Sequence, residues 1–291
     1  MFIPKREIEQ LSTDVRRIID GHAPDLRDNL EGRLSILKND IHTLAGQLNE
    51  QASVLQKHKL AMANTLADIS HQLKTPLTAM MVMAELLENA PPAKQTEFIA
   101  NLKQGLVQSQ WLVTSLLKMA KLESGTVSLI STQTTAKHII NLALQPLQIL
   151  LDVKNQQVQI LGDAAITCDE NWTAEAFTNV IKNASEHSPE GSIIEISAGE
   201  NPLCAWVSVT DTGNGITLNQ IKTLFQRFTP APLPEGGVPK GRGENTGIGL
   251  PLALSIMRDQ NGDIEVDGGG NGRGATFTMK FYSRSDTEKH R

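Results

Sequence analysis

Residues 69–77 read Ile69-Ser70-His71-Gln72-Leu73-Lys74-Thr75-Pro76-Leu77, inside a helical pattern that starts far upstream. Leu34, Leu37, Ile41, Leu44 and Leu48, then Leu55, Met62 and Ile69, keep steps of three and four. That is a heptad seam of about five repeats, interrupted by polar Gln51, His58 and Thr65. A seam this long needs a partner helix. A parallel dimer is the expected answer, although one long helix packed against its own domain would leave the same pattern. In the heptad frame His71 lies beside the seam, and Thr75 follows one turn later. An imidazole is a nucleophile in its neutral form. Taken alone, a histidine on a helix surface usually carries no chemistry.

The pattern runs on to Leu87, with Pro76 inside it. Proline removes one backbone hydrogen bond, so a kink is expected there. Residues 89–94, with Pro91-Pro92, read as a turn. Phe98, Leu102, Leu106, Leu112, Leu116 and Leu122 mark a second long helix, which Gly125 closes. Two antiparallel helices from each of two chains would form a four-helix bundle. Upstream, Ile8, Leu11, Val15 and Ile18 mark a short amphipathic helix, broken by Gly21 and Pro24.

From about Val127 the texture changes. Short β-type runs (158–161, 193–197, 205–209 and 275–281) alternate with helical stretches (136–151, 171–186, 217–225 and 250–260). This is an α/β domain of roughly 150 residues. Residues 229–245 are rich in Pro and Gly and lack periodicity. A loop that long inside a compact domain is generally functional or disordered.

The chain has 291 residues, a length that fits about two domains. With 40% hydrophobic residues, 20% charged residues and a net charge of -5, it can build a sizeable core. Nothing in this charge draws it toward nucleic acid. Cys168 and Cys204 make neither a metal-ligand spacing nor a disulfide framework, and a reducing compartment is expected. No apolar run approaches the roughly 18 residues of a membrane span, and no signal peptide is read after Met1.

Three further clusters carry candidate chemistry. Glu175, Asn179 and Asn183 fall at i, i+4 and i+8 on one helical face. Two amides and a carboxylate suit a Mg²⁺–phosphate site, since Mg²⁺ takes hard oxygen ligands; a solvated polar face would look alike. Val209-Thr210-Asp211-Thr212-Gly213-Asn214-Gly215-Ile216 runs from a strand into an Asp and two glycines. A carboxylate at a strand end can accept a hydrogen bond from an adenine amino group, and glycine permits close backbone approach. A bare turn after a strand has the same pattern. Gly243-Glu244-Asn245-Thr246-Gly247-Ile248-Gly249-Leu250 precedes a helix, where free N–H groups can meet phosphate. It is not a Walker motif, because no Gly-Lys-Ser/Thr follows.

Each cluster is ambiguous by itself; their order and spacing are not. Over roughly residues 60–285 the sequence resembles the sensor histidine kinases of two-component systems. Residues 70–77 look like the phosphoacceptor box. Asn179-Val180-Ile181-Lys182-Asn183-Ala184 looks like the N box, and Asp211 to Ile216 like the G1 box. Phe225 and Phe228 look like the F box, Thr246 to Leu250 like the G2 box, and Gly274-Ala275-Thr276-Phe277 like the last turn of the nucleotide pocket. The resemblance implies a multidomain protein: an all-α dimeric helical bundle and coiled coil, followed by an α/β sandwich of the Bergerat ATPase type. The expected bounds are 1–56 for a relay segment, 57–127 for the phosphotransfer hairpin, 128–285 for the ATP-binding domain and 286–291 for a tail.

It also implies ATP and Mg²⁺ as cofactors and His71 as the group phosphorylated, with Gln72 and Thr75 beside it. Asp211 would read adenine, and Asn183 would hold the metal. Asn179, His187, Gly213, Gly215, Phe228, Gly247, Gly249, Leu250 and Thr276 would line the nucleotide pocket, with residues 229–245 as its lid. The implied partners are a second copy of the chain and a response regulator, with no nucleic acid. Pro4-Lys5-Arg6-Glu7-Ile8 and Leu30-Glu31-Gly32-Arg33-Leu34 are similar to a HAMP relay, which follows a transmembrane span. The chain is thus expected to be the cytoplasmic portion of a protein of the bacterial cell membrane; a soluble kinase with an N-terminal coiled coil is the alternative.

Two departures from the family pattern stand out. Gln72 replaces the usual acid after the histidine, and an amide cannot take up a proton. Glu186 stands where many relatives have a Lys near the phosphates; Lys182, Arg227, Lys240 and Arg242 are the candidate replacements. Two other readings compete: another ATPase of the superfamily, which would lack the histidine box, and a degenerate kinase acting as a regulator phosphatase or scaffold.

Overall fold

In the computed structural model, the structure describes residues 9, 12, 13, 15–17, 33–88, 90–229, 247–269 and 274–282. The described residues between 9 and 17 are helical, as expected for the first amphipathic segment. Its flanks, the remaining HAMP-like residues, most of the lid and the tail lie outside the described residues. The chain divides into two compact units, 1–71 and 72–291.

Helix α1 (Arg33–Glu88) runs for 56 residues and contains Pro76. In the first unit its seam is largely bare: Leu44, Leu48, Leu55 and Met62 are exposed. In the second unit α1 meets helix α2 (Pro92–Glu123), and Gly105 permits the approach. A Cβ there would lie 2.8 Å from Met80 Cγ. The turn is shorter than the 89–94 expected. Pro91 is extended (φ -60°, ψ 147°) and Pro92 already opens α2, a position where proline's missing N–H costs nothing. At the far end Ser124 N–H donates to Ala120 O, and Gly125, at φ 63°, donates to Leu122 O.

The rest of the second unit is a two-layer α/β domain. In chain order it contains β1 (Thr132–Thr135), α3 (Ala136–Leu144), a 3-10 turn (Gln145–Leu147), α4 (Gln148–Val153), β2 (Gln157–Gly162), β3 (Ala165–Cys168) and α5 (Glu170–His187). Then follow β4 (Ile193–Glu200), β5 (Cys204–Thr210), α6 (Leu218–Ile221), α7 (Gly249–Asp259), β6 (Gly262–Asp267) and β7 (Thr276–Tyr282). The main sheet has the order β2-β4-β5-β7-β6; only the β2–β4 pair is parallel. β1 and β3 form a separate antiparallel pair.

Helices α3, α5 and α7 pack side by side on the sheet. Ile194 and Ile196 of β4, Val207 and Val209 of β5, and Phe277 and Met279 of β7 bury against Phe177, Val180 and Ile181 of α5 and Leu252 and Ile256 of α7. Phe177 meets Phe281 edge to face at 6.2 Å. Alternation along β4 buries one face only, as a one-sided antiparallel sheet requires. Helix α2 docks on α7, burying Leu112, Ser115, Met119 and Leu122 at steps of three and four.

Two expected helices differ. The stretch 136–151 is broken at Gln145–Leu147 by a 3-10 turn whose Pro146 cannot donate to the ladder. The stretch 217–225 is helical only over Leu218–Ile221, although Thr217 and Gln220 form a full capping box. Beyond Ile221 the chain turns so that Leu224 and Phe225 reach the core.

Candidate functional site

His71 is exposed on α1, within the first unit. Gln72 is half-buried and Thr75 exposed, both within the second. The remaining predicted residues belong to the α/β domain, and the structure brings most of them together.

Asp211 immediately follows β5 and is 4% exposed. Its backbone N–H donates to Ala275 O at 2.9 Å. Its Oδ1 accepts from Gly213 N–H at 2.8 Å and from Ala275 N–H at 3.1 Å. Among the described residues no donor reaches Oδ2. A buried carboxylate oxygen without a donor is costly unless a ligand supplies one. Two glycines make this arrangement possible. A Cβ on Gly274 (φ 75°) would sit 1.9 Å from Asp211 O, and one on Gly213 would sit 2.5 Å from His187 O. Thr276 shares a 3.0 Å hydroxyl contact with Thr210, and Gly215 (φ 77°) turns the chain so that Ile216 N–H reaches Gly268 O.

Asn179 and Asn183 project from α5, whose N-terminus is capped by Asp169 Oδ1 accepting from Trp172 N–H. Asn179 is buried, and its amide donates to Glu175 O at 3.0 Å. Its Oδ1 faces the start of α7, where a Cβ on Gly249 would come within 3.0 Å of it. Asn183 is half-buried, and its amide has no protein partner among the described residues. Glu175, expected on the same stripe, is instead paired with Lys118 of α2 at 2.9 Å.

Helix α7 begins at Gly249 with Ile248 as N-cap and no side-chain cap, so the N–H groups of Gly249 and Leu250 face outward from its first turn. Gly247 (φ 65°) precedes it, and its carbonyl accepts from Phe228 N–H at 3.1 Å. This bond joins the two described ends of the lid; Thr246 and residues 230–245 lie outside the described residues. Phe228 itself takes φ 59°, rare for a bulky residue, and with Phe225 it packs against the core.

The candidate cations are engaged elsewhere. Lys182 pairs with Glu186 at 3.5 Å and lies 4.9 Å over the Trp111 ring; Arg227 pairs with Glu123. Lys240 and Arg242 lie outside the described residues. His187 keeps an exposed edge, yet the protein around its ring pushes its pKa down; Asp211 opposes this and Lys154 adds to it.

These residues fit a nucleotide: a donor-seeking carboxylate at one end, open helix N–H groups and carboxamides at the other. They offer Mg²⁺ little beyond the carboxamide oxygens of Asn179 and Asn183 on α5. Among the described residues no group of three His, Cys, Asp or Glu could hold a metal ion, so any Mg²⁺ here would be ligated chiefly by phosphate oxygens. Sequence reasoning missed Ala275 as a donor to Asp211, and Ser188, whose hydroxyl accepts from Thr212 N–H. No local pattern marks either one.

Comparison with known proteins agrees. Residues 168–285 match the family of histidine kinase-, DNA gyrase B- and HSP90-like ATPases, and residues 61–125 match the His Kinase A (phospho-acceptor) domain. Sporulation kinase C of Bacillus subtilis is 24% identical over 250 residues, covering 83% of this chain and 54% of its own. The signal transduction histidine-protein kinase BaeS of Escherichia coli is 24% identical over 257 residues, covering 87% and 54%. The chain thus spans about half the length of these relatives. Among solved structures, the Acinetobacter baumannii histidine kinase AdeS superposes with a TM-score of 0.60 at 20% identity, covering 74% of this chain and 98% of that one. Histidine kinase ThkA, solved in complex with response regulator TrrA, gives 0.59 at 17%, covering 90% and 70%. At such identities the superpositions speak for the fold alone.

Fold and site define a two-layer ATPase domain preceded by a phosphoacceptor helical hairpin. The chain belongs to the sensor histidine kinase family.

Proposed function

We propose that the chain binds ATP in the α/β domain, phosphorylates His71 and passes the phosphoryl group to an aspartate of a response regulator. The observation that carries this is Asp211: a buried carboxylate whose second oxygen has no donor among the described residues, in the same domain as an uncapped helix start. Asp211 accepts from the adenine amino group. The N–H groups of Gly249 and Leu250, with Gly247 beside them, hold the phosphates, and Gly215, Phe228 and Thr276 line the pocket.

Asn183, together with the phosphates, would hold Mg²⁺, which when bound would neutralise phosphate charge. An imidazole nitrogen of His71 forms a bond to the γ-phosphorus as the bond to the β–γ bridging oxygen breaks and ADP leaves. The neutral ring attacks with its lone pair, so Gln72 need not accept a proton; it orients the imidazole by hydrogen bonding. The ring's remaining N–H proton is shed to water. Catalysis rests on positioning and on stabilising charge.

The exposed seam of α1 pairs two copies of the chain in parallel. Thr75 orients a water for dephosphorylating the regulator. The hairpin spans 57–127, the nucleotide domain 128–285 and the relay segment 1–56. The chain works on the cytoplasmic side of a protein anchored in the membrane; no described helix is itself long and apolar enough to cross one.

The test is incubation with γ-labelled ATP and Mg²⁺, wild type beside His71→Gln, followed by acid or alkali. Label on the wild type alone, lost in acid and stable in alkali, is the expected result. No label with nucleotide binding intact would move the reading to a regulator phosphatase or scaffold, as Gln72 already invites.

A further inference from the structure

The C-terminal end of α5 is gripped from behind by a turn that belongs to none of the site motifs. Residues 154–156 link α4 to β2, with Asn155 at φ 50°. Lys154 Nζ donates to Ser185 O at 2.8 Å and lies 3.4 Å from Glu186 O. Gln156 is 7% exposed. Its Nε2 lies 3.1 Å from Ser185 O, 3.3 Å from Ser188 O, 3.1 Å from Pro189 O and 3.4 Å from Ser192 Oγ. Its Oε1 accepts from Ser185 Oγ at 2.6 Å. One amide therefore gathers the whole segment 185–192, including carbonyls that the helix end leaves unpaired.

The front of that segment meets the Asp211 turn. Thr212 N–H donates to Ser188 Oγ at 3.4 Å. Gly213 lies so near His187 O that a Cβ would come within 2.5 Å of it. The segment is held between Gln156 on one side and the Asp211 turn on the other. It is also the direct continuation of the helix that carries Asn179 and Asn183.

We propose that Gln156 is a positioning residue: by fixing segment 185–192 it sets the spacing between Asp211 and the Asn179–Asn183 pair. On the nucleotide reading above, on which this rests, that spacing decides whether base and phosphates are engaged at once. Removing the amide takes this partner from the carbonyls of Ser188 and Pro189 and from the Ser185 hydroxyl, while Ser185 O keeps Lys154, and the segment must shift to rehydrate them.

Gln260 supplies the control. It is a partly buried amide at the opposite end of α5, accepting from Asp169 N–H at 2.6 Å and donating to Ile256 O at 3.3 Å. The experiment titrates ADP with Mg²⁺ into the full chain by calorimetry, comparing wild type, Gln156→Leu and Gln260→Leu, each shown to be folded at the working temperature. Both variants lose thermal stability. Gln156→Leu alone weakens ADP binding, by about tenfold or more. Equal affinities in the two variants would reduce Gln156 to a structural amide and overturn the proposal.

A third variant, Gln156→Glu, decides the matter if the leucine variant does not fold. It keeps the acceptor and loses the donor when ionised, but regains one O–H donor when protonated, a form favoured by burial among carbonyls. Its ADP affinity is expected to be weak at about pH 8 and to recover toward the wild-type value near pH 6; no recovery overturns the role. A wild-type chain that binds no ADP defeats the nucleotide reading itself, a failure seen before any variant is made.

Discussion

Helix α1 and the α/β domain differ in how they dispose of apolar surface. Along the described part of the first unit, Leu55 is 71% exposed and Met62 66%. In the α/β domain, side chains of the same kind on β4, β5 and β7 are shut away against α5 and α7. The two regions have comparable hydrophobic material. One closes its own core, whereas the other presents a row of exposed leucines, the surface that the proposed parallel pairing would cover. On the proposed pairing, the difference separates a domain that buries its own apolar surface from a helix whose stability depends on association.

The sharpest way to break this contrast is to charge the seam. Leu48→Asp with Leu55→Asp removes two leucines from each of two helices. At about 1.5–3 kcal/mol per buried leucine, the total loss is about 6–12 kcal/mol. Sedimentation should show a monomer at concentrations where the wild type is a dimer, with ADP binding unchanged. A variant that stays dimeric would place the self-association surface elsewhere.

The converse is Phe177→Ala. This ring is wholly buried between α5 and the sheet and meets Phe281 edge to face. Its loss should cost about 3–5 kcal/mol in the unfolding of the α/β domain, read by denaturant titration, and leave the oligomeric state alone. A smaller effect lies at the docking of α2. Leu112→Ala should cost about 2–5 kcal/mol. Lys118→Ala, which breaks the half-exposed pair with Glu175, should cost at most about 1 kcal/mol. Reversal of that order would mean that charge rather than burial holds α2 to the domain.

What the sequence disclosed follows the same division. Periodic features were legible: the seam, the helix of Asn179 and Asn183, the glycine pair before α7. So was Asp211, because a strand running into Asp and glycines is a local signature. The missed strands were β1, which is entirely Thr and Gln, β3, only four residues long, and β6, which starts at Gly262 and alternates Ile264 and Val266 with acids. Their strand character comes from pairing with a neighbour far along the chain. The close approaches of Gly213 to His187 and of Gly274 to Asp211 are likewise invisible before folding, as is the grip of Gln156 on residues 185–192. Each joins residues more than 20 positions apart. The fate of Lys182 and Arg227 could not be read either, since their partners Trp111 and Glu123 lie on a helix of the other expected domain.

The smallest predicted effect tests the pocket's own electrostatics. His187 sits where the surrounding protein disfavours its charged form, so its folded pKa lies below the ordinary 6.5. As pH falls, the unfolded chain takes up this proton first, and stability drops. The contribution is present in full above the unfolded value and is lost as pH falls through the folded one. The exposed ring edge keeps it small. His187→Gln removes the titration, so the Tm difference between about pH 8 and pH 5.5 should narrow, by a degree or so at most. A gap that widens instead would show that the attraction of Asp211, which pulls the pKa upward, outweighs desolvation, and that the carboxylate and the imidazole act as a pair.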